Sequence, residues 1–228
     1  STTIPNLSVG PNRNLIINGA CNIAQRGTSS TSTGVVAVDR FRTYHVSTDE
    51  APTYSQVDVA SGTTPYSLGF RKAYRVTNGD QTSGVAATNQ IQIDYLVEAQ
   101  DLACSGWDHK SPSSFLTLSY WAKSSVAQEF KTHMRTVDGT SQAFAYSLGS
   151  LAANTWTKVT IVIPGNSNLQ IDNDNGTGLE IGLFSQWGTN LTSSVSENAW
   201  GTYSGQQRTP NQTLTWYTIL LSFSIRKY

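Results

Sequence analysis

Apolar and polar residues alternate with a period of two through most of this chain, and that pattern leaves room for little except strands. Ile91, Ile93, Tyr95 and Val97 alternate with Gln90, Gln92 and Asp94. Thr157, Val159, Ile161 and Ile163 alternate around Lys158 and Thr160, and Leu179, Ile181 and Leu183 around Glu180 and Gly182. Phe70, Lys72, Tyr74 and Val76 take one face of a strand, and Arg71, Ala73, Arg75 and Thr77 the other. Tyr217, Ile219, Leu221, Phe223 and Ile225 share one face of a long last strand. Residues 115–121 are apolar on both faces except at Thr117 and Ser119, as in a central strand of a sandwich.

Turn chemistry separates these runs: Asn78-Gly79-Asp80, Asp138-Gly139, Pro164-Gly165-Asn166 and Asn173-Asp174-Asn175-Gly176. About ten strands at this spacing predict an all-β fold, a two-sheet antiparallel jelly-roll sandwich with almost no helix. A short helical turn within 96–104 is the one exception. Residues 14–228 read as a single domain. Residues 1–13, with Pro5 and Pro11, lack periodicity and read as an arm or linker. The expected core includes Leu118, Trp121, Trp156, Ile161, Ile181 and Leu183.

Only 13% of the residues are charged, against roughly 25% in ordinary soluble domains. Thr, Ser, Asn, Gln and Gly take their place. Lys plus Arg and Asp plus Glu each number 15, so the formal charge is zero. A nucleic-acid partner would call for a basic face, and the sequence offers none. No apolar run approaches the roughly eighteen residues of a membrane-spanning helix, so membrane insertion is not expected. Cys21 and Cys104 are too few for a disulfide framework. Two buried free thiols are favoured over one bridge.

The chemistry motifs are missing. His45, His109 and His133 stand apart, with no H-E-x-x-H and no C-x-x-C beside them. No G-x-S-x-G occurs. Asp94, Glu98 and Asp101 are close in sequence, but solvated or ion-paired acids are their ordinary role, and a glycosidase needs two carboxylates placed across a cleft. The 172–176 stretch has the look of a calcium loop. Its Gly comes fifth rather than sixth and Leu183 occupies the twelfth position, so a plain Asx turn is favoured. No cofactor, metal or catalytic residue is assigned.

Aromatic residues carry the remaining signal. Trp107, Trp187 and Trp200 lie among Gly, Asp, Asn and other polar residues, with Asp108 and Tyr203 nearby in sequence. An exposed ring can stack on the apolar C–H face of a sugar while amides and carboxylates read its hydroxyls. Alternatively, the same rings plug the ends of the sandwich or pack against another subunit. Trp107, Asp108, Trp187, Trp200 and Tyr203 are thus the candidate binding residues. The polar stretch 185–211 that holds three of them is long for a structureless loop, which points to function.

The opening Asn14-Leu15-Ile16-Ile17-Asn18-Gly19, followed by Gln25-Arg26-Gly27 and Asp39-Arg40-Phe41, resembles a family of bacteriophage virion proteins known as tail fibre or structural proteins. The strands at 116–124 (Leu-Thr-Leu-Ser-Tyr-Trp-Ala-Lys-Ser) and 154–161 (Asn-Thr-Trp-Thr-Lys-Val-Thr-Ile), and the block at 172–181, extend the resemblance in order and spacing. It implies a jelly roll similar to carbohydrate-binding modules, located in the virion and without catalytic residues. Its implied partners are other virion proteins, held through the 1–13 arm, and a host surface glycan. A homo-oligomer, most simply a trimer, follows by analogy with fibres. A purely structural virion subunit, such as a capsid decoration or head fibre, is the alternative.

Overall fold

The strand that best shows why this sequence folds as it does is Phe115–Ser124. Leu116, Leu118, Tyr120, Ala122 and Ser124 are buried, and the residues between them face outward. This computed structural model describes residues 14–79, 83–193, 195–205, 208–212, 214 and 218–226, with 222–226 as backbone. The 1–13 arm and Tyr217 lie outside these residues.

The strands are β1 (Ser29–Ser30), β2 (Phe41–Val46), β3 (Thr53–Asp58), β4 (Lys72–Thr77), β5 (Gln90–Glu98), β6 (Phe115–Ser124), β7 (Gln128–Thr136), β8 (Gln142–Leu151), β9 (Thr157–Pro164), β10 (Thr177–Trp187), β11 (Thr192–Ser193), β12 (Trp200–Thr202), β13 (Thr209–Pro210) and β14 (Thr218–Arg226). They form two six-stranded sheets, ordered β1-β3-β4-β14-β6-β9 and β12-β8-β7-β10-β5-β2. All ladders within these sheets are antiparallel, and the fold is an all-β jelly-roll sandwich. A small parallel pair, β11 with β13, lies outside both sheets. Among the described residues, helix is confined to Thr64–Ser67, Ala99–Ala103 and a 3₁₀ turn at Thr189–Leu191. The second falls inside the expected 96–104 window. The first is only four residues long, too short to leave a periodic trace.

Aromatic rings fill the space between the sheets. Phe41 meets Tyr74 and Tyr95 edge-on, with centroids 6.0 and 5.5 Å away, and Phe130 meets Phe184 at 5.6 Å. Leu118, Ile181 and Leu183 are buried as expected. Trp121 and Trp156 are only half-buried, and Ile161 is partly buried against the core edge. Parity explains Trp121. Leu116, Leu118 and Tyr120 already face inward, so a side chain one residue on must face outward. Trp156 precedes β9, an edge strand, where one flank is open. Both cysteines are free thiols: Cys21 is buried, but Cys104 is exposed rather than buried.

The N-terminal motif is a clasp. The Asn18 backbone takes φ 60°, a conformation Asn tolerates. Its amide donates to the carbonyls of Ile23 (2.9 Å) and Asp39 (3.0 Å) and accepts from Ile23 N–H (3.0 Å). Asp39 in turn accepts from Gln25 N–H at 3.3 Å and pairs with Arg26 at 3.5 Å. The clasp delivers Phe41 into the core. The block at 172–176 is a turn in which Asp174 Oδ1 accepts Gly176 N–H at 2.9 Å.

One irregularity governs the second sheet. From Leu179↔Val97 to Gly182↔Asp94 β10 pairs with β5 in register, after a first shift between Thr177 and Leu179, and then shifts again so that Phe184 faces Ile93. This is a β-bulge. Ile181 points inward before it, and Phe184 points inward after it. Ser185 and Trp187 therefore turn to the outer face. The Tyr120 hydroxyl donates to Leu183 O at 2.8 Å, and Thr132 Oγ1 and the Tyr146 hydroxyl donate to Gly182 O. A Cβ at Gly182 would stand 2.3 Å from His133 O, in the backbone of neighbouring β7. Gly182→Ala should therefore force β7 and β10 apart and cost about 1–3 kcal/mol, the range of core overpacking. A urea denaturation midpoint matching the wild type would show that the strands have room.

Candidate functional site

The outer face of the second sheet is where side chains converge. Phe41 packs inward, so Arg42 and Tyr44 of β2 point outward, together with Gln90, Gln92 and Asp94 of β5. The pairings Glu180↔Arg135 and His133↔Ala145 set Glu180 of β10 and Arg135 and His133 of β7 on the same side. After β10 the chain runs back over this face. Asn198 N–H donates to Ala145 O at 2.8 Å and Tyr203 N–H to Ser141 O at 2.9 Å. Gln212 accepts from Lys131 N–H through its side chain at 2.9 Å. This crossing covers one end of the face and leaves a cleft of about 390 Å³ beside it. Tyr44, Gln90, Gln92, Arg42, Arg135, Glu180, Tyr203 and Arg208 line the cleft, with Thr33 and Gly34 at its rim.

The floor is an ion-pair network. Arg42 grips Asp94 with two bonds, Nε to Oδ1 at 2.8 Å and Nη2 to Oδ2 at 2.6 Å. The same Nη2 donates to Glu180 Oε2 at 2.7 Å, and Arg135 Nη2 reaches that oxygen at 3.1 Å. The Gln92 amide donates to both acids, at 2.6 and 3.2 Å. Each carboxylate oxygen thus has an N–H donor, which burial demands. Asp94 is only 1% exposed. Burial and the neighbouring Glu180 charge push its carboxyl up to about 6, against the pull of Arg42. Burial also acts to raise Glu180, but Arg135 and Arg42 outweigh it and hold that carboxyl below its usual value.

The aromatic walls differ in kind. Tyr44 is 42% exposed. The Tyr203 ring stacks on His133 at 5.7 Å with 15° between planes, and the Arg135 guanidinium lies 4.8 Å from its centroid. Burial pushes His133 down to about 3, so it is neutral at ordinary pH. Arg208 spans the far side, 4.6 Å from the Trp187 ring centroid.

Of the residues singled out from sequence, Tyr203 lines the cleft, and Trp187 lies beneath it, 2% exposed, as a support for Arg208. The other three lie elsewhere. Trp107 is buried, its Nε1 donating to Ser114 O at 3.2 Å. Asp108 is exposed and caps its own turn through Lys110 N–H at 3.2 Å. Trp200 is half-buried on Phe144, with centroids 5.4 Å apart, and its Nε1 donates to Pro164 O at 2.7 Å, tying the second sheet's edge to β9. Trp107 and Trp200 are packing residues rather than open rings. Sequence reading missed Tyr44, Arg42, Gln92 and Glu180, although parity from Phe41 and Ile91 marks the first three as outward. A larger depression of about 740 Å³, lined by Glu129, Thr189, Thr192, Ser193, Asn211 and Gln212, has no aromatic face. Among the described residues, no three His, Cys, Asp or Glu side chains gather as a metal site requires.

No protein-family model and no curated protein sequence matches the chain. Solved structures do. A protein of Bacteroides thetaiotaomicron VPI-5482, described as a candidate sugar-binding protein, is 10% identical with a TM-score of 0.51, over 95% of this chain and 100% of its own. An enzymatically active domain of tailspike protein 4 from bacteriophage CBA120 is 12% identical with a TM-score of 0.46, over 96% of this chain. This chain spans 22% of that tailspike chain. The N-terminal cellulose-binding domain of Cellulomonas fimi β-1,4-glucanase C is 12% identical with a TM-score of 0.42, over 90% of this chain and 98% of its own.

The floor makes a prediction about pH. Folded Asp94 titrates near 6, whereas an unfolded Asp titrates near ~3.9. Between these values the folded chain holds a proton that the unfolded chain has released. This group's contribution to stability therefore falls as pH rises from about 4 to about 6. Glu180 acts in the opposite sense, its contribution being lost as pH drops below the ordinary glutamate range. Asp94→Asn should remove the first slope, read as Tm against pH. An unaltered profile would show that Asp94 titrates as an ordinary aspartate.

Proposed function

We propose that this cleft binds a glycan without cleaving it, and that the chain is a glycan-contacting module of a virion, in a tail fibre or receptor-binding part. One observation carries the glycan reading. Tyr44 and Tyr203 border a cleft whose floor offers Gln90 and Gln92 amides and Arg42 and Arg135 guanidinium donors. Rings supply flat apolar area for a sugar face, and fixed amides and guanidinium groups supply hydrogen bonds for its hydroxyls. The floor is held rigid before any ligand arrives, which lowers the ordering cost of binding. The jelly roll shared with the Bacteroides protein, described as a candidate for sugar binding, supports the same reading.

The non-catalytic part rests on the acids. A glycosidase places its carboxyl groups on either side of the scissile bond. Here both acids are tied to a single guanidinium, and Asp94 is out of a ligand's reach. The virion role rests on the ordered motif resemblance, with residues 1–13 proposed as the attachment to other virion proteins.

A purely structural virion subunit is the second reading. Phe115 and Val162, both substantially exposed, share the outer face of the first sheet with half-buried Trp121. That apolar face suits packing against viral chains or the sister subunits of a trimer. Sedimentation of the isolated chain tests the trimer, and a monomer at high concentration would count against it.

The glycan reading is tested on a glycan array followed by calorimetry. Tyr44→Ala and Tyr203→Ala should each weaken the best glycan by about 2 kcal/mol, a hot-spot loss of roughly thirtyfold in Kd. Tyr44 is exposed, so the fold of its variant should hold. Absence of any retained glycan, or variants that bind like the wild type, would remove the cleft as a sugar site.

A further inference from the structure

Among the described residues, the charges in the cleft are not balanced. Arg42 and Arg135 are matched by Asp94 and Glu180, ion-paired at 2.6, 2.7 and 3.1 Å. Arg208 is a third guanidinium in the same cleft. Among the described residues no carboxylate lies within ion-pair distance of it. Its Nε donates to Gly205 O at 3.0 Å and its Nη1 to Gln90 Oε1 at 3.4 Å, both neutral acceptors. Nη2 has no acceptor among the described residues. His133 beneath is neutral and offsets nothing.

Arg208 is also held in place. Its guanidinium lies over the buried Trp187 ring, and Gln90 and Gly205 fix it from two sides. The Arg208 N–H donates to Leu191 O at 3.1 Å, and the adjacent Thr209 pairs with Thr192, which anchors the backbone. With Nε and Nη1 each holding one neutral acceptor, the Nη2 N–H groups are kept for a ligand. Guanidinium edges match carboxylates in plane, with two parallel bonds available. A neutral sugar leaves this charge unmatched in a partly enclosed cleft, while an acidic sugar neutralises it.

We propose that the cleft selects an acidic glycan, one bearing a carboxylate such as a uronic acid, with Arg208 as the residue that reads the charge. This rests on the reading of the cleft as a glycan site. Tyr44 and Tyr203 then hold the sugar rings, and the Gln90 amide beside Arg208 sets the depth at which the carboxylate sits.

The test uses polygalacturonate, alginate and hyaluronan, each alongside the same polymer with its carboxyls reduced to primary alcohols. Affinity is measured for the wild type, Arg208→Gln and Arg208→Lys, with Tm recorded for each. The wild type should prefer at least one acidic polymer over its reduced form by about tenfold or more, the scale of one charge-assisted hydrogen bond. The preference should shrink as salt rises. R208Q should bring the ratio close to one, and R208K should keep part of it. If the wild type binds acidic and reduced forms equally, with Tyr44→Ala weakening both, the charge inference falls and the glycan site stands. If R208Q keeps the full preference at wild-type Tm, Arg208 is not the reader and the inference falls. If the wild type binds no polymer in either form, the acidic-glycan inference falls, and the glycan array on neutral sugars decides the site separately.

Discussion

The bulge at Gly182 is the constraint on which the site depends. A strand with an unbroken period of two would continue Leu179, Ile181 and Leu183 inward and send Ser185 and Trp187 after them. The extra residue reverses the parity. Phe184 takes the inward position against Phe130, and Trp187 moves to the outer face. There it meets His133, with ring centroids 5.9 Å apart, and supports Arg208. The bulge frees carbonyls from the ladder inside the core, where each would be costly without a partner. Tyr120 reaches across from the opposite sheet to cap Leu183 O, and Tyr146 and Thr132 cap Gly182 O. Those tyrosines fix the bulge, and through it the cleft.

The ion-pair floor is a second consequence of burial on both faces. β5 carries Ile91, Ile93 and Tyr95 inward and Gln92 and Asp94 outward, and all five are buried. The outward set is covered because the chain after β10 returns over β7 and β8. Such networks add little net stability, since desolvation offsets most of the attraction. What they provide is geometry. With each carboxylate oxygen bonded, Arg42 cannot swing without leaving Asp94 Oδ1 without a donor. The polar floor is therefore rigid in a way that surface side chains are not.

The strands and the jelly-roll class are legible in the sequence because alternation and turn residues are local. Parity within one strand is equally local, and applied to residues 116–121 it turns Trp121 outward. The same rule marks Tyr44 as outward, two residues from Arg42 and three from the core residue Phe41. The bulge is not local. Nothing in Leu179–Trp187 itself shows that Gly182 lies against the β7 backbone, so the face of Trp187 could not be read from sequence. Trp107 and Trp200 mislead for a related reason. Their polar sequence neighbours are turn residues, and the rings reach past them to Ser114 O and Pro164 O at the ends of the sandwich.

The division of labour among the rings follows from size and polar reach. A Trp buries more area than any other side chain and has a single donor, so a backbone carbonyl at a sandwich end satisfies it fully. The indole N–H groups of Trp107 and Trp200 are satisfied in this way. A Tyr presents a flat ring and a hydroxyl that can both donate and accept. Tyr44 stands free and Tyr203 is pinned between His133 and the Arg135 guanidinium, so one wall of the cleft can adjust while the other is fixed. A ligand entering the cleft meets a prepared face first, and only the Tyr44 side must settle around it. Selectivity in such an arrangement comes from the fixed side, where Arg208, which has no carboxylate within ion-pair distance among the described residues, also lies.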